Sequence, residues 1–158
     1  MPAGNLVSRS NLTRLIASLR RSGKKIVFTN GVFDILHRGH VEYLSRARAL
    51  GDVLIVGLNT DASVRRFKGR ARPLQKQADR AAILLALKAV DYVIFFGEDT
   101  PDRLIRLVKP DVLVKGADYR IAEIVGAEFV KSYGGSVKRV SLTRGRSSSA
   151  LIRKLNRL

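Results

Sequence analysis

Short apolar runs alternate with helical patterns along almost the whole chain, and that rhythm restricts the fold more than any other feature. KKIVFTN (24–30), DVLIVGLN (52–59), YVIFF (92–96), DVLVKG (111–116) and SVKRVSL (136–142) read as strands. DVLIVGLN is apolar on both sides, as a strand covered on each face of a parallel sheet must be. Leu12, Leu15, Ile16 and Leu19 recur at i, i+3, i+4, i+7, the face of a helix that stops near Gly23. Val41, Leu44 and Ala47 mark a second helix from His40 to Leu50. Asp61 stands where it can cap a short third one that ends at Phe67. Gln77–Val90 carries an Ala/Leu face, and Pro101 suits the first turn of a helix reaching Val108. Helical pieces follow around 120–133, and Ser148 or Ser149 can cap a last helix with Leu151, Ile152 and Leu155 turned inward. The basic stretch RRFKGRARPLQK (65–76), interrupted by Gly69 and Pro73, reads as a loop.

This alternation predicts βαβ units and a three-layer α/β sandwich of Rossmann-like form around a five-stranded, mainly parallel sheet. The 158 residues suit one domain, which typically holds roughly 150. Residues 1–23 read as an amino-terminal helical segment and 24–158 as the main domain. Cysteine is absent, which excludes disulfides, thiolate nucleophiles and Cys-ligated metals. No stretch approaches the ~18 unbroken apolar residues of a membrane helix. The start, MPAGNLVSRSNLTRL, has no apolar core of the signal-peptide kind. A cytoplasmic protein without a membrane segment is expected.

Lys and Arg number 30 against 13 Asp and Glu, a formal charge of +17. Such a field attracts polyanions: nucleic acid, anionic lipid, or phosphate-rich small molecules. The run RRFKGRAR keeps a nucleic-acid binder in view as a rival. Against it, aromatics are only 6%, no RNP-like or zinc-knuckle pattern is present, and the basic residues are scattered. A membrane-surface role lacks its amphipathic helix with aromatic anchors. An enzyme that handles phosphates remains.

In parallel sheets ligands bind beyond the carboxyl ends of the strands. There, after the first strand, stands Thr29-Asn30-Gly31-Val32-Phe33-Asp34-Ile35-Leu36-His37-Arg38-Gly39-His40. Glycine lets the backbone approach a ligand, and the following helix offers free amides and a positive dipole end to an anion. Both histidines of the chain fall here, three residues apart, so one helical turn can present both. Imidazoles so placed donate hydrogen bonds to phosphate oxygens without a metal. Two histidines with Asp34 make an incomplete ligand set, so no protein-held metal is expected. A lone histidine at a helix start is ordinarily a satisfied polar residue. GxFD followed by HxGH at a buried strand end is the combination that points to phosphate.

TNGVFDILHRGH resembles the signature of the cytidylyltransferase-like nucleotidyltransferases, which the HxGH motif marks. LNTDASVRRFKGRARPL, ADRAAILLALKAVDYVIFF, EDTPDRLIRLVKPDVLVKGADY and GRSSSALIRKL resemble later parts of that family, so the likeness spans about residues 24–156. The wording is most similar to the adenylyltransferases of ADP-heptose synthesis, which join AMP to D-glycero-β-D-manno-heptose 1-phosphate. Those domains are often fused behind a sugar kinase. No kinase-sized segment is present here, so a stand-alone version is expected.

The resemblance implies roles for the matching positions. His37, His40 and Lys68 would be catalytic, the histidines contacting the ATP phosphates. Thr29, Asn30, Gly31, Phe33, Lys115, Gly116, Ser147, Ser148 and Ser149 would join the histidines in binding nucleotide. Asp34, Asp61, Lys68, Arg72, Asp118 and Tyr119 would face the sugar phosphate. Mg²⁺ would be held mainly through ATP phosphates, and a homo-oligomer is implied. Val32 replaces a cysteine common in the heptose enzymes, and Arg38 fills the variable position of HxGH. Whether Arg38, Arg144 and Arg146 touch substrate is open at this point. So is the choice between ATP and CTP, and between the heptose and acceptors such as glycerol 3-phosphate, a phosphorylated amino alcohol, FMN or phosphopantetheine.

Overall fold

The computed structural model describes residues 5–158, whose strands pair into one six-stranded sheet. In chain order the elements are β1 (Asn5–Val7), α1 (Arg9–Arg21), β2 (Ile26–Gly31), α2 (Arg38–Arg48), β3 (Val53–Asn59), α3 (Asp61–Lys68) and α4 (Gln77–Leu85). Then come β4 (Tyr92–Phe96), α5 (Asp102–Val108), β5 (Val112–Gly116), a 3₁₀ turn (Ile121–Glu123), α6 (Ala127–Ser132), β6 (Ser136–Val140) and α7 (Ser148–Leu155). The strand order is β1-β4-β3-β2-β5-β6, and every pairing is parallel.

Alternate residues of the central strands build the two cores. Val27, Leu54, Val56, Leu58, Val93, Val112 and Val114 face α2 and α4, meeting Tyr43, Leu44, Ala47, Ala81 and Leu84. Ile26, Phe28, Val53, Ile55, Ile94, Phe96 and Leu113 face the other way, onto Leu12 of α1, Leu104, Ile105 and Val108 of α5, and Val130 of α6. Two covered faces explain why these strands carry apolar side chains at successive positions.

The sixth strand corrects the expected count of five. Asn5–Val7 is three residues long and pairs with Tyr92–Ile94, too short for a period of two to register. Of the segment set apart as 1–23, residues 1–4 lie outside the described residues, while β1 and Leu12 of α1 belong to the sheet and its core. The helix expected to reach Val90 ends at Leu85; tight turns from Leu87 to Leu84 and from Val90 to Leu87 then carry the chain into β4. The inward face expected of α7 is also corrected: Leu151 is 37% and Leu155 60% exposed. No helix among the described residues is long and apolar enough to cross a membrane.

Candidate active site

From β2 the chain winds one way through β3 and β4, then returns to place β5 and β6 on the other side. The switch in strand order therefore lies between β2 and β5, where such sheets open a crevice. Backbone pairing there involves only Val27 with Val112 and Phe28 with Leu113, although the strands continue to Gly31 and Gly116. Side chains bridge the widening gap. The Thr29 hydroxyl donates to the Val114 carbonyl at 2.9 Å and lies 2.8 Å from the Tyr43 hydroxyl, and Lys115 Nζ is 3.5 Å from the Asn30 carbonyl. Above them a cavity of about 580 Å³ opens.

His37 is the N-cap residue of α2 and His40 lies in its first turn; the His37 ring makes no capping bond. The rings stack instead, with centroids 3.9 Å apart and planes 25° apart. Phe33, held at φ 47°, sets its ring edge-on to His40 at 5.2 Å. Gly39 makes the stack possible, because a Cβ there would lie 2.9 Å from Cε1 and Nδ1 of His37. Burial, then the field of His37, pulls the His40 pKa down to about 4, with Lys68 adding to this and the nearby Ile35 carbonyl opposing it. Burial and the charge of Arg146 lower His37 as well. Both rings are therefore neutral near pH 7, each with one N–H to donate.

The basic loop is tied down from beneath. Burial pushes the Asp34 carboxyl up, but the Gln75 and Leu74 amides and the Arg72 guanidinium outweigh it and hold the group below its usual value. Those donors lie at 3.0, 2.9 and 2.9 Å. Arg80, only 1% exposed, is a second clamp: it donates to the Val32 carbonyl at 2.7 Å, the Gln75 carbonyl at 3.0 Å and the Asp61 carboxylate at 2.7 Å. One buried guanidinium thus joins the turn after β2, the basic loop and the start of α3. Above the loop, desolvation and the charge of Arg72 lower Lys68, with Asp34 opposing. Burial brings Lys115 down to about 8 against the pull of Asp118.

The serine segment closes the other side. Ser147 caps α7 by accepting from the Ala150 amide at 3.0 Å, in place of the expected Ser148 or Ser149. Ser148 instead donates to the Ile35 carbonyl at 2.8 Å, pinning the amino end of α7 beside that of α2. Two helix N-termini consequently border one cavity, an arrangement suited to anions.

Of the residues singled out from the sequence, Asn30, Gly31, Phe33, Asp34, His37, His40, Lys68, Arg72, Lys115, Gly116, Asp118, Tyr119, Ser147, Ser148 and Ser149 line the cavity. Thr29 and Asp61 do not. Thr29 is fully buried in the bridge between β2 and β5. Asp61 is engaged by Arg80, and the cap of α3 is Thr60, whose side chain accepts from the Ser63 amide. Asp34 and Arg72 border the cavity but are bonded to each other. Among the three arginines left open, Arg38 turns to Glu42 at 2.6 Å, Arg144 stands off the cavity and Arg146 lines it. Sequence reasoning missed Asn59, Phe67, Phe96 and Asp99 on the cavity wall, and Arg80 beneath it. Asn59 could have been found, as the polar residue that ends an otherwise apolar strand.

Four buried side-chain polar atoms lack a hydrogen-bond partner among the described residues: Asn30 Oδ1, His37 Nδ1, His40 Nδ1 and Arg72 Nη2. All four residues line this cavity. A buried unsatisfied group costs about 1–3 kcal/mol, so their concentration at one opening marks a place built for a polar ligand.

The cytidylyltransferase-like family model matches residues 28–154. The bifunctional protein HldE of Wolinella succinogenes is 54% identical over 150 residues, which cover 95% of this chain and 31% of that protein. The HldE of Geobacter metallireducens is 56% identical over 146 residues, 92% of this chain and 30% of that one. The chain thus spans under a third of these relatives' length. A lipopolysaccharide core biosynthesis protein from Thermoplasma volcanium superposes with a TM-score of 0.62 at 34% identity, over 78% of this chain and 100% of its own. Pantothenate synthetase from Thermus thermophilus shares the fold, with a TM-score of 0.59 at 20% identity over 89% of this chain and 62% of its own. With its HxGH turn at the crevice and its likeness running through most of the sequence, the chain belongs to the cytidylyltransferase-like family and is a nucleotidyltransferase.

Proposed function

We propose that this chain transfers AMP from ATP to D-glycero-β-D-manno-heptose 1-phosphate, forming ADP-heptose and pyrophosphate. The cluster of unpartnered buried polar atoms around the stacked histidines carries the reading, because His37, His40 and Arg72 can each offer an N–H where a polyphosphate would lie. The HldE relatives and the lipopolysaccharide core neighbour support the heptose as acceptor. ATP as donor fits the cytoplasmic location expected from the sequence.

A sugar 1-phosphate is already an anionic nucleophile. One of its oxygens bonds to the α-phosphorus of ATP while the bond to the β-phosphate oxygen breaks, its electron pair leaving with pyrophosphate. No proton is transferred and no covalent enzyme intermediate is required. The work is to bring two polyanions together in line and to stabilise charge as it shifts. Neutral His37 and His40 donate to phosphate oxygens, and their low pKa values keep one nitrogen of each ring unprotonated. Lys68 bridges toward the incoming sugar phosphate, and the amino ends of α2 and α7 face the triphosphate. Asp34 is filled by protein donors, which suits a Mg²⁺ carried on nucleotide oxygens and water. Such an ion would neutralise phosphate charge.

The deciding experiment supplies ATP, Mg²⁺ and heptose 1-phosphate and follows pyrophosphate and ADP-heptose together. CTP, and acceptors such as glycerol 3-phosphate, run alongside. Preferential turnover of ATP with the heptose is expected. Faster turnover of another pair would replace the substrate assignment, and salt-sensitive nucleic-acid binding without pyrophosphate release would replace the reaction.

A further inference from the structure

We propose that Arg146 is the leaving-group cation of this enzyme: its guanidinium binds the β- and γ-phosphates of the nucleotide and stabilises the departing pyrophosphate. The proposal deepens the nucleotidyl-transfer reading and rests on it.

Two arginines border the cavity, Arg72 and Arg146. Arg72 is bonded to buried Asp34. Arg146 makes no hydrogen bond or ion pair with any described residue, so its full fork of donors is available. Its root lies against the histidine turn. The space a Cβ on Gly39 would occupy is 3.2 Å from Cβ of Arg146 and 2.9 Å from the ring of His37. The glycine of HxGH therefore separates the arginine from the imidazole by no more than one missing methyl. Their electrical contact is visible too, since the charge of Arg146 depresses the pKa of His37.

The backbone that carries Arg146 is anchored on both sides. Thr143 is hydrogen-bonded to Glu42 of α2, and Ser148 to the Ile35 carbonyl. Arg146 also directly precedes Ser147, the N-cap of the eight-residue α7. A diphosphate at this end would meet the guanidinium, the positive end of the helix and the His37 ring together. Arginine is the side chain that grips two phosphate oxygens at once. Lys68, the last residue of α3 rather than part of the basic loop read from 65–76, also lines the cavity. In the transfer step the acceptor oxygen bonds to the α-phosphorus, and the electron pair of the broken bond goes to pyrophosphate. A fixed cation at Arg146 opposes that growing charge, while Lys68 serves the incoming phosphate.

The test uses the full chain with Arg146→Ala, Arg146→Lys and, as a neighbouring control, Arg144→Ala. Calorimetry measures binding of magnesium pyrophosphate and, separately, of AMP, which lacks β- and γ-phosphates. Arg146→Ala should weaken pyrophosphate by about 10–100-fold and leave AMP within about twofold. Arg146→Lys should fall between it and wild type, and Arg144→Ala should match wild type. NMR titration of the unliganded protein should show His37 taking its proton at higher pH in Arg146→Ala. Pyrophosphate binding unchanged in Arg146→Ala would overturn the proposal, as would equal loss of AMP or no pyrophosphate binding by wild type. Arg146-dependent pyrophosphate binding without ADP-heptose formation would sink the acceptor assignment and leave this role of Arg146 standing.

Discussion

The imidazoles of His37 and His40 lie 3.9 Å apart, ring over ring, each with a buried Nδ1 that no atom of the described residues satisfies. Two like donors in contact act on one charge distribution as a unit. His37→Ala and His40→Ala should each lower kcat by ~10²–10³, the loss expected for one oxyanion-type donor, with smaller change in the KM for ATP. Because the pair is coupled, the double variant should lose less than the product of the single losses. Steady-state pyrophosphate release measures all three. A double variant that keeps wild-type kcat would take the histidines out of the mechanism.

Gly39 separates folding from catalysis. It is the second residue of α2, where alanine is favoured over glycine by at most the about 0.8–1 kcal/mol of a helix interior. Its added methyl, however, would stand 2.9 Å from the His37 ring and 3.2 Å from Cβ of Arg146. Gly39→Ala should therefore fold normally, with a Tm within a few degrees of wild type. Its kcat should fall by roughly 10²-fold, as for about 1 Å of misplacement in a catalytic group. Thermal melts and kinetics on one preparation check both halves. Full activity would mean that the ring position is not critical.

Arg80 is a stability prediction. Its guanidinium is fully enclosed and satisfies the carbonyls of Val32 and Gln75 and the carboxylate of Asp61. Removing one partner of a buried charged pair costs about 3–5 kcal/mol, so Arg80→Met should lower the urea midpoint strongly. Arg80→Lys should rescue it only in part, since an ammonium cannot reach three acceptors in a planar fork. Equal midpoints for Arg80→Met and wild type would show that the clamp contributes nothing net.

The central sheet and the histidine turn were legible because each is written locally. The runs that became β2 to β5 are strongly apolar, and Gly31 to His40 is a contiguous turn at a strand end. What escaped depends on distant partners. Asn5–Val7 has meaning only against Tyr92–Ile94. Asp61 reads from the sequence as a helix cap and a contact to the sugar phosphate because nothing near it announces Arg80, 19 residues on. Asp34 and Arg72 were read as two ligands for one substrate, and 38 residues apart they turn out to hold each other. Conversely Arg146, in a run of polar residues that resembles solvated surface, reaches the cavity because α7 is drawn back to Ile35 by Ser148. Charge in sequence says how many cations exist; pairing in space decides which remain for a ligand.

The depressed histidine pKa values tie stability to pH. In the unfolded chain both rings take protons near 6.5, whereas His40 in the folded protein does so at about 4 and His37 is lowered as well. Between these values the unfolded state binds more protons, so the free energy of unfolding rises with pH across that window. Stability is complete above about 6.5 and drains as pH falls toward 4. Asp34, also lowered, adds its own loss only below its ordinary value of 3.8. From pH 7.5 to 5 the histidine contribution should be about 1–2 kcal/mol, allowing for partial solvent screening. Urea unfolding at pH 7.5, 6 and 5 should show wild type weakening stepwise. His40→Phe, which keeps an aromatic ring against Phe33 but cannot titrate, should weaken visibly less. Parallel pH dependence in the two proteins would mean that His40 exchanges its proton as freely folded as unfolded.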